Sequence, residues 1–176
     1  MRLNPLSGSG KVLVERYRLE ERLSGPDPLK GSMWRAEEVL AGDLPVDIRQ
    51  LESPAAQQRL QGVLPQLQTL SHPQLPRCSE LVELDGALWL VHDWQDGIAY
   101  DLLLRQGRFD SVEVLLLIQQ VLPVLAVLHG CGLVHGDVNP QQLLHRSSDG
   151  LPVLLEGGGV QREGLPGRAC SLARSP

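Results

Sequence analysis

The residues best equipped for chemistry stand in one stretch, His135-Gly136-Asp137-Val138-Asn139-Pro140-Gln141-Gln142-Leu143-Leu144. Asp137 offers a carboxylate, and Asn139 and Gln142 offer amides, groups that can face a phosphate or a metal ion. A long apolar run and a Gly130-Cys131-Gly132 turn lead into it. A second apolar run, Leu151 to Leu155, follows and ends in Glu156 and three glycines. The stretch is therefore a polar loop between two buried elements. A second charged pair, Asp47 and Arg49, stands in Val46-Asp47-Ile48-Arg49-Gln50-Leu51, whose alternation predicts a strand. Residues two apart in a strand share a face. The pair points into a cleft, or it forms an exposed strand face with two charges.

These residues need elements to hold them. Tyr17 to Leu23 reads as a strand, Ser24 to Gly31 as a Gly/Pro loop, and Met33 to Val39 resumes an extended pattern, so the three make a hairpin. Ser53 as N-cap and Pro54 in the first turn open a helix. Leu60, Val63, Leu64, Leu67 and Leu70 share its apolar face, and Pro65 is expected to kink or divide it. Leu81 to Val91 predicts two strands around an Asp85-Gly86 turn. Tyr100 to Gly107 is a short helix closed by glycine. Ser111 to His129 is the clearest helix, with Ser111 as cap and Glu113 in its first turn. Leu115, Ile118, Leu122, Leu125 and Leu128 follow a helical period and are expected to be core, and Pro123 should bend the helix.

Composition bounds the rest. The 176 residues suit one domain, with two lobes allowed, and a 42% hydrophobic share is enough for a core. A net charge of −5 with no basic stripe gives no support for nucleic acid. Three cysteines without a C-x-x-C pair indicate neither a disulfide framework nor a zinc site. No signal peptide is visible, and no uncharged run reaches the ~20 residues needed to cross a bilayer. The expectation is a cytoplasmic protein with no membrane partner.

The loop resembles the catalytic loop of the eukaryotic-like Ser/Thr protein kinases, H-R-D-L-x-x-x-N. It keeps His135, Asp137, Pro140, Leu143 and Leu144. It has Gly136 for Arg, Asn139 for Lys and Gln142 for the metal-binding Asn. The other elements match in order. The hairpin resembles the Gly-rich loop, with Gly25 and Gly31 for its outer glycines and Met33 in the strand that follows. Pro26 and Pro28 remove backbone N–H groups from it. Val46 to Arg49 resembles V-A-I-K, with Asp47 for the Ala above the adenine and Arg49 for the Lys. Leu70-Ser71-His72-Pro73 resembles the segment after helix C, and the helix C Glu falls on Val63. Leu88 to Gly97 resembles the hinge, with His92 as gatekeeper and Asp93 to Gln95 facing adenine. Glu156-Gly157-Gly158 stands where the family has D-F-G.

The resemblance implies an α+β, protein-kinase-like fold. A small antiparallel N-lobe sheet with one helix would occupy 12–95, after a flexible leader at 1–11. An incomplete, mainly helical C-lobe would occupy 96–160, before a flexible tail at 161–176. Asp137 would be the catalytic base beside His135. Asp47, Arg49, Gly25, Gly31, Met33, Asp93 and Gln95 would line a degenerate nucleotide cleft. Gln142 and Glu156 would hold metal only in an active protein. The altered groups imply a pseudokinase, truncated after the loop, that binds another protein: a kinase, a substrate or a signalling component. No cofactor is then expected, with ATP and Mg2+ required only if activity is retained. The alternative is a weakly active ATP-dependent kinase, or a phosphotransferase of the aminoglycoside-kinase type, whose loop shares H-G-D.

Overall fold

The computed structural model describes residues 10–23, 31–107, 109–156 and 160–162. The chain forms two compact units, Met1–Arg59 with Arg77–Trp94, and Leu60–Pro76 with Gln95–Pro176.

The first unit is a six-stranded antiparallel sheet. Its strands are β1 (Val12–Leu13), β2 (Tyr17–Arg22), β3 (Ser32–Glu38), β4 (Leu44–Leu51), β5 (Cys78–Leu84) and β6 (Ala87–Asp93), in the order β1-β2-β3-β4-β6-β5. Two tight connections use left-handed backbone. Gly42 and Asp43 end a short 3-10 turn between β3 and β4, and Asp85 (φ 54°) with Gly86 (φ 75°) joins β5 to β6. Positive φ at both central residues is the type I′ geometry that matches strand twist. The side-chain period of two sorts the faces. Tyr17, Leu19, Trp34, Ala36, Val46, Ile48, Trp89 and Val91 make one buried cluster, each large side chain contributing about 1.5–3 kcal/mol by leaving water. Asp47 and Arg49, out of phase with Val46 and Ile48, take the other face. Tyr17 and Arg16 tie β2 to β5 at the rim: the Tyr17 hydroxyl donates to Glu80 at 2.6 Å and Arg16 Nη1 at 2.8 Å.

Helix α1 (Pro54–Thr69) begins at Pro54, as its fixed φ favours, and runs unbroken through Pro65. Loss of one N–H does not divide a helix whose Leu60, Val63 and Leu67 are buried.

The second unit holds β7 (Gly97–Ala99), α2 (Tyr100–Gln106), α3 (Ser111–Gly130), β8 (Leu133–Val134), β9 (Leu143–Arg146), β10 (Pro152–Leu154) and β11 (Gln161–Arg162). Its sheets run β10-β9-β7 and β11-β8. Gly97 lets β7 approach β9, since a Cβ there would lie 2.4 Å from the His145 carbonyl oxygen. Gln74 stitches the unit: its side-chain amide donates to the Gln120 and Pro152 carbonyls at 3.1 and 2.8 Å, and its own carbonyl accepts from Leu154 N–H.

Helix α3 departs from the sequence reading in three ways. Its cap is Asp110, one residue before Ser111. The Asp110 carboxylate accepts from the Val112 and Glu113 N–H groups, and Glu113 accepts from the Asp110 N–H, each at 2.8 Å. Either side chain can cap, and the acid with Glu113 three residues on completes the capping box. Second, Val121, Val124 and Leu128 are the buried residues. Leu115, Ile118 and Leu122, expected as core, are 58%, 47% and 55% exposed. The helix is apolar around most of its girth, so periodicity alone does not select the buried side. Third, its 20 residues are long and apolar enough to cross a membrane. Cys131, which follows it, is disulfide-bonded, a feature that the cysteine spacing did not signal.

Candidate active site

In the first unit, the sheet face opposite the apolar cluster carries a row of polar groups in register. Arg35 on β3 lies opposite Asp47 on β4, Asp47 opposite His92 on β6, and His92 opposite Cys78 on β5. One step along, Met33 lies opposite Arg49, and Arg49 opposite Leu90. Asp47 and Arg49 are 8% and 5% exposed, and His92 is buried, so the pair is not an exposed charged face. Burial lifts the Asp47 carboxyl from its ordinary 3.8 to about 6, against the opposing pull of Arg49 and then Arg35. Its Oδ1 accepts no hydrogen bond among the described residues. Arg35, which the sequence reading did not single out, stacks over the Trp94 ring at 4.9 Å. Its signal was available: β3 pairs with β4, and a residue opposite a buried acid is a candidate partner.

The other residues of this group are placed as follows. Gly31 has φ 75°, and a Cβ on it would sit 2.0 Å from the Gln50 carbonyl oxygen, so only glycine fits where the loop rejoins the sheet. Gly25 lies outside the described residues. Met33 is half-buried, and its carbonyl accepts from Leu23 N–H. Asp93 is exposed and takes the Ser79 hydroxyl at 2.8 Å, while its own N–H donates to the Arg77 carbonyl. Val63 on α1 is buried, so the helix presents no carboxylate at that position.

In the second unit, β8 delivers the loop and β9 takes it away. Gly136 adopts φ 72°, a conformation that an arginine there would strain. His135 is buried, and its Nε2 donates to the Leu155 carbonyl at 2.8 Å, because a carbonyl only accepts. Its Nδ1 accepts from Asp137 N–H at 3.4 Å, a long bond. The imidazole thereby pins the loop to the strand that precedes Glu156. Asn139 is the local organiser. Its amide donates to Asp137 Oδ1 at 2.9 Å and to the Asp137 carbonyl at 3.2 Å, and its side-chain oxygen accepts from Gln141 N–H at 2.9 Å. This is an Asx-type turn in which both ends of the side chain are used. Gln142 is fixed through its backbone, donating to the Asn139 carbonyl and accepting from Leu155 N–H. The pairing of β9 with β10 thus brings Gln142 and the Leu155–Glu156 corner to the same end of the unit as Asp137. Gln95, half-buried, belongs to this unit but not to the loop. Among the described residues, no three His, Cys, Asp or Glu side chains converge as a metal site.

No family model matches the chain. It is 32% identical over 164 residues to serine/threonine-protein kinase-like protein E of Synechocystis sp., covering 88% of this chain and 26% of that relative. It is 26% identical over 148 residues to a probable serine/threonine-protein kinase PknB of Lactococcus lactis, covering 79% of this chain and 23% of the relative. The chain therefore spans about a quarter of the length of these relatives. Among solved structures, the PknI kinase domain of Mycobacterium tuberculosis superposes with a TM-score of 0.69 at 23% identity, over 94% of this chain and 66% of that one. The curled antiparallel sheet, the helices and the His135-to-Glu156 loop in their order, together with these relatives, place the chain in the serine/threonine protein kinase family as a protein-kinase-like α+β domain.

Proposed function

We propose that this protein-kinase-like domain is catalytically impaired and acts by binding another protein, a kinase, a kinase substrate or a signalling component. Asp47 carries the reading. Active members of the family use ATP with magnesium, and an adenine laid against this sheet face would meet a buried carboxyl whose Oδ1 accepts no hydrogen bond among the described residues. Desolvating that group further against an apolar ring is unfavourable. The residues present therefore do not fit the adenine of a typical kinase. They also fit magnesium poorly. The ion demands near-ideal octahedral geometry, and Gln142 and Glu156 are each one methylene longer than the family's Asn and Asp. Asn139, a neutral amide where the family has Lys, adds no phosphate charge, and its amide already donates to Asp137.

One observation favours a second reading, a weakly active ATP-dependent kinase or a phosphotransferase of the aminoglycoside-kinase type. Asp137 sits in an ordered loop, pinned by His135 to the Leu155 corner, and Gly136 gives the loop the H-G-D form. A thermal-shift titration separates the two. A ligand at 100 times its Kd stabilises by about 2.7 kcal/mol, which is about 5–10 °C for a domain of this size. The expected result with 5 mM ATP and magnesium or manganese is a shift under about 1 °C on that scale. A metal-dependent rise of about 5 °C or more, abolished by Asp137→Ala or Glu156→Ala, establishes the weakly active reading instead.

A further inference from the structure

Arg35 reaches past its own cross-strand neighbour. On β3 it lies directly opposite Asp47 on β4. Side chains so placed on one face are about 5 Å apart at Cβ, a separation at which opposite charges pair. Yet Asp47, only 8% exposed, has an Oδ1 that accepts no hydrogen bond among the described residues. Arg35 instead sets its guanidinium over the Trp94 ring, 4.9 Å from the centroid. Trp94 follows the last residue of β6, and β4 lies between β3 and β6 in the sheet, a step of roughly 10 Å at about 4.8 Å per strand. The Arg35 side chain therefore crosses β4 beside the acid to reach the ring.

From this geometry we infer that Arg35 is a switch arm with two seats, the Trp94 ring and the Asp47 carboxylate, and that losing or covering the ring sends the arm to the acid. One move then uncouples the ring and gives the buried carboxylate a donor. The surroundings keep the two seats close in strength. Arg49 lies two residues along the same face of β4, and its charge acts on Asp47 ahead of that of Arg35, so a second guanidinium gains less there than at a lone carboxylate. His92 faces Asp47 from β6. An exposed cation–π contact and a cross-strand ion pair are of similar strength, and Arg35 is exposed, so neither seat is locked by packing.

The charges also select what can cover the ring. A cation laid on Trp94 would meet both Arg35 and Arg49 at close range, whereas a neutral planar ring displaces Arg35 without that repulsion. The arm lies wholly within the sheet unit, and the inference does not depend on whether the domain retains catalysis.

The test follows the Asp47 carboxyl of the 176-residue chain by carbon-detected NMR, with a parent midpoint expected at about 6. Trp94→Leu keeps an apolar cover and stands in for a covered ring. With that seat gone Arg35 should pair with Asp47 and lower the midpoint by about one pH unit or more. Arg35→Gln should raise it, and Arg35→Gln combined with Trp94→Leu should titrate like Arg35→Gln alone. Arg35→Lys approaches from the other side. It keeps the charge and gives up the planar stack, so it too should lower the midpoint while leaving Trp94 in place. Two outcomes overturn the inference. One is a midpoint that does not fall in Trp94→Leu. The other is an equal fall in the Arg35→Gln background, which shows water rather than Arg35 reaching the acid. If Trp94→Leu fails to fold, Arg35→Lys decides: a midpoint that does not fall there overturns the inference as well.

Discussion

Replacing Asp47 with asparagine should make the protein more stable at neutral pH and leave it nearly unchanged at pH 4. The carboxyl is 8% exposed, and burial raises it from 3.8 to about 6 in the folded chain even though Arg49 and Arg35 pull the other way. In the unfolded chain it titrates near its ordinary value of about 3.9. Below that value both states hold the proton and no penalty applies. As pH rises from about 3.9 to 6, the unfolded chain releases its proton first, so stability falls. Above 6 both states are charged and the penalty is constant. At 1.36 kcal/mol per pH unit the difference amounts to about 3 kcal/mol, or about 6–12 °C in Tm. Asparagine has the same shape and does not titrate. The stability difference between Asp47→Asn and the parent should therefore grow by about 3 kcal/mol between pH 4 and 7.5, measured by urea unfolding at five pH values. Parallel stability curves refute the reasoning. A variant that loses ground at pH 7.5 refutes it more sharply, because pairing with Arg49 and Arg35 would then outweigh burial.

Other expectations follow from single contacts. Gly31→Ala should destabilise the chain by about 3 kcal/mol in urea unfolding, from a positive φ and a Cβ 2.0 Å from the Gln50 carbonyl oxygen; a loss under about 1 kcal/mol would mean that the loop shifts freely. Gln74→Leu keeps the volume but strands the Gln120 and Pro152 carbonyls, and should cost about 1–3 kcal/mol by the same assay. Asp149 is held near 2, first by the Arg146 side chain and then by Leu151 N–H. Carbon-detected NMR titration of Arg146→Met should move that midpoint upward, and an unmoved midpoint would show that the Arg146 bond is not made in solution.

Much of this molecule is written in short-range pattern. The Asp85-Gly86 turn and the alternation of Val46 to Leu51 each depend on a few neighbouring residues, and each appears where local chemistry puts it. The family is legible for a related reason. His135, Gly136 and Asp137 stand at fixed spacing before a strand, and spacing along the chain survives into the loop. His72 is a simple case, a turn residue whose Nδ1 accepts from Gln74 N–H.

The sequence by itself determined the α+β elements, their order and the family, because backbone preference and the periods of 2 and 3.6 act within a few residues. Only the tertiary structure decided that Asp47 and Arg49 are both buried, that Arg35 stands beside them, and that Asn139 spends its amide on Asp137. It also decided which side of α3 is core. A helix with apolar residues nearly all round can bury any face, and the choice falls to Val121, Val124 and Leu128 once β8 and β10 lie against it. Burial and cross-strand neighbours are properties of residues far apart in the chain, so no local pattern can carry them.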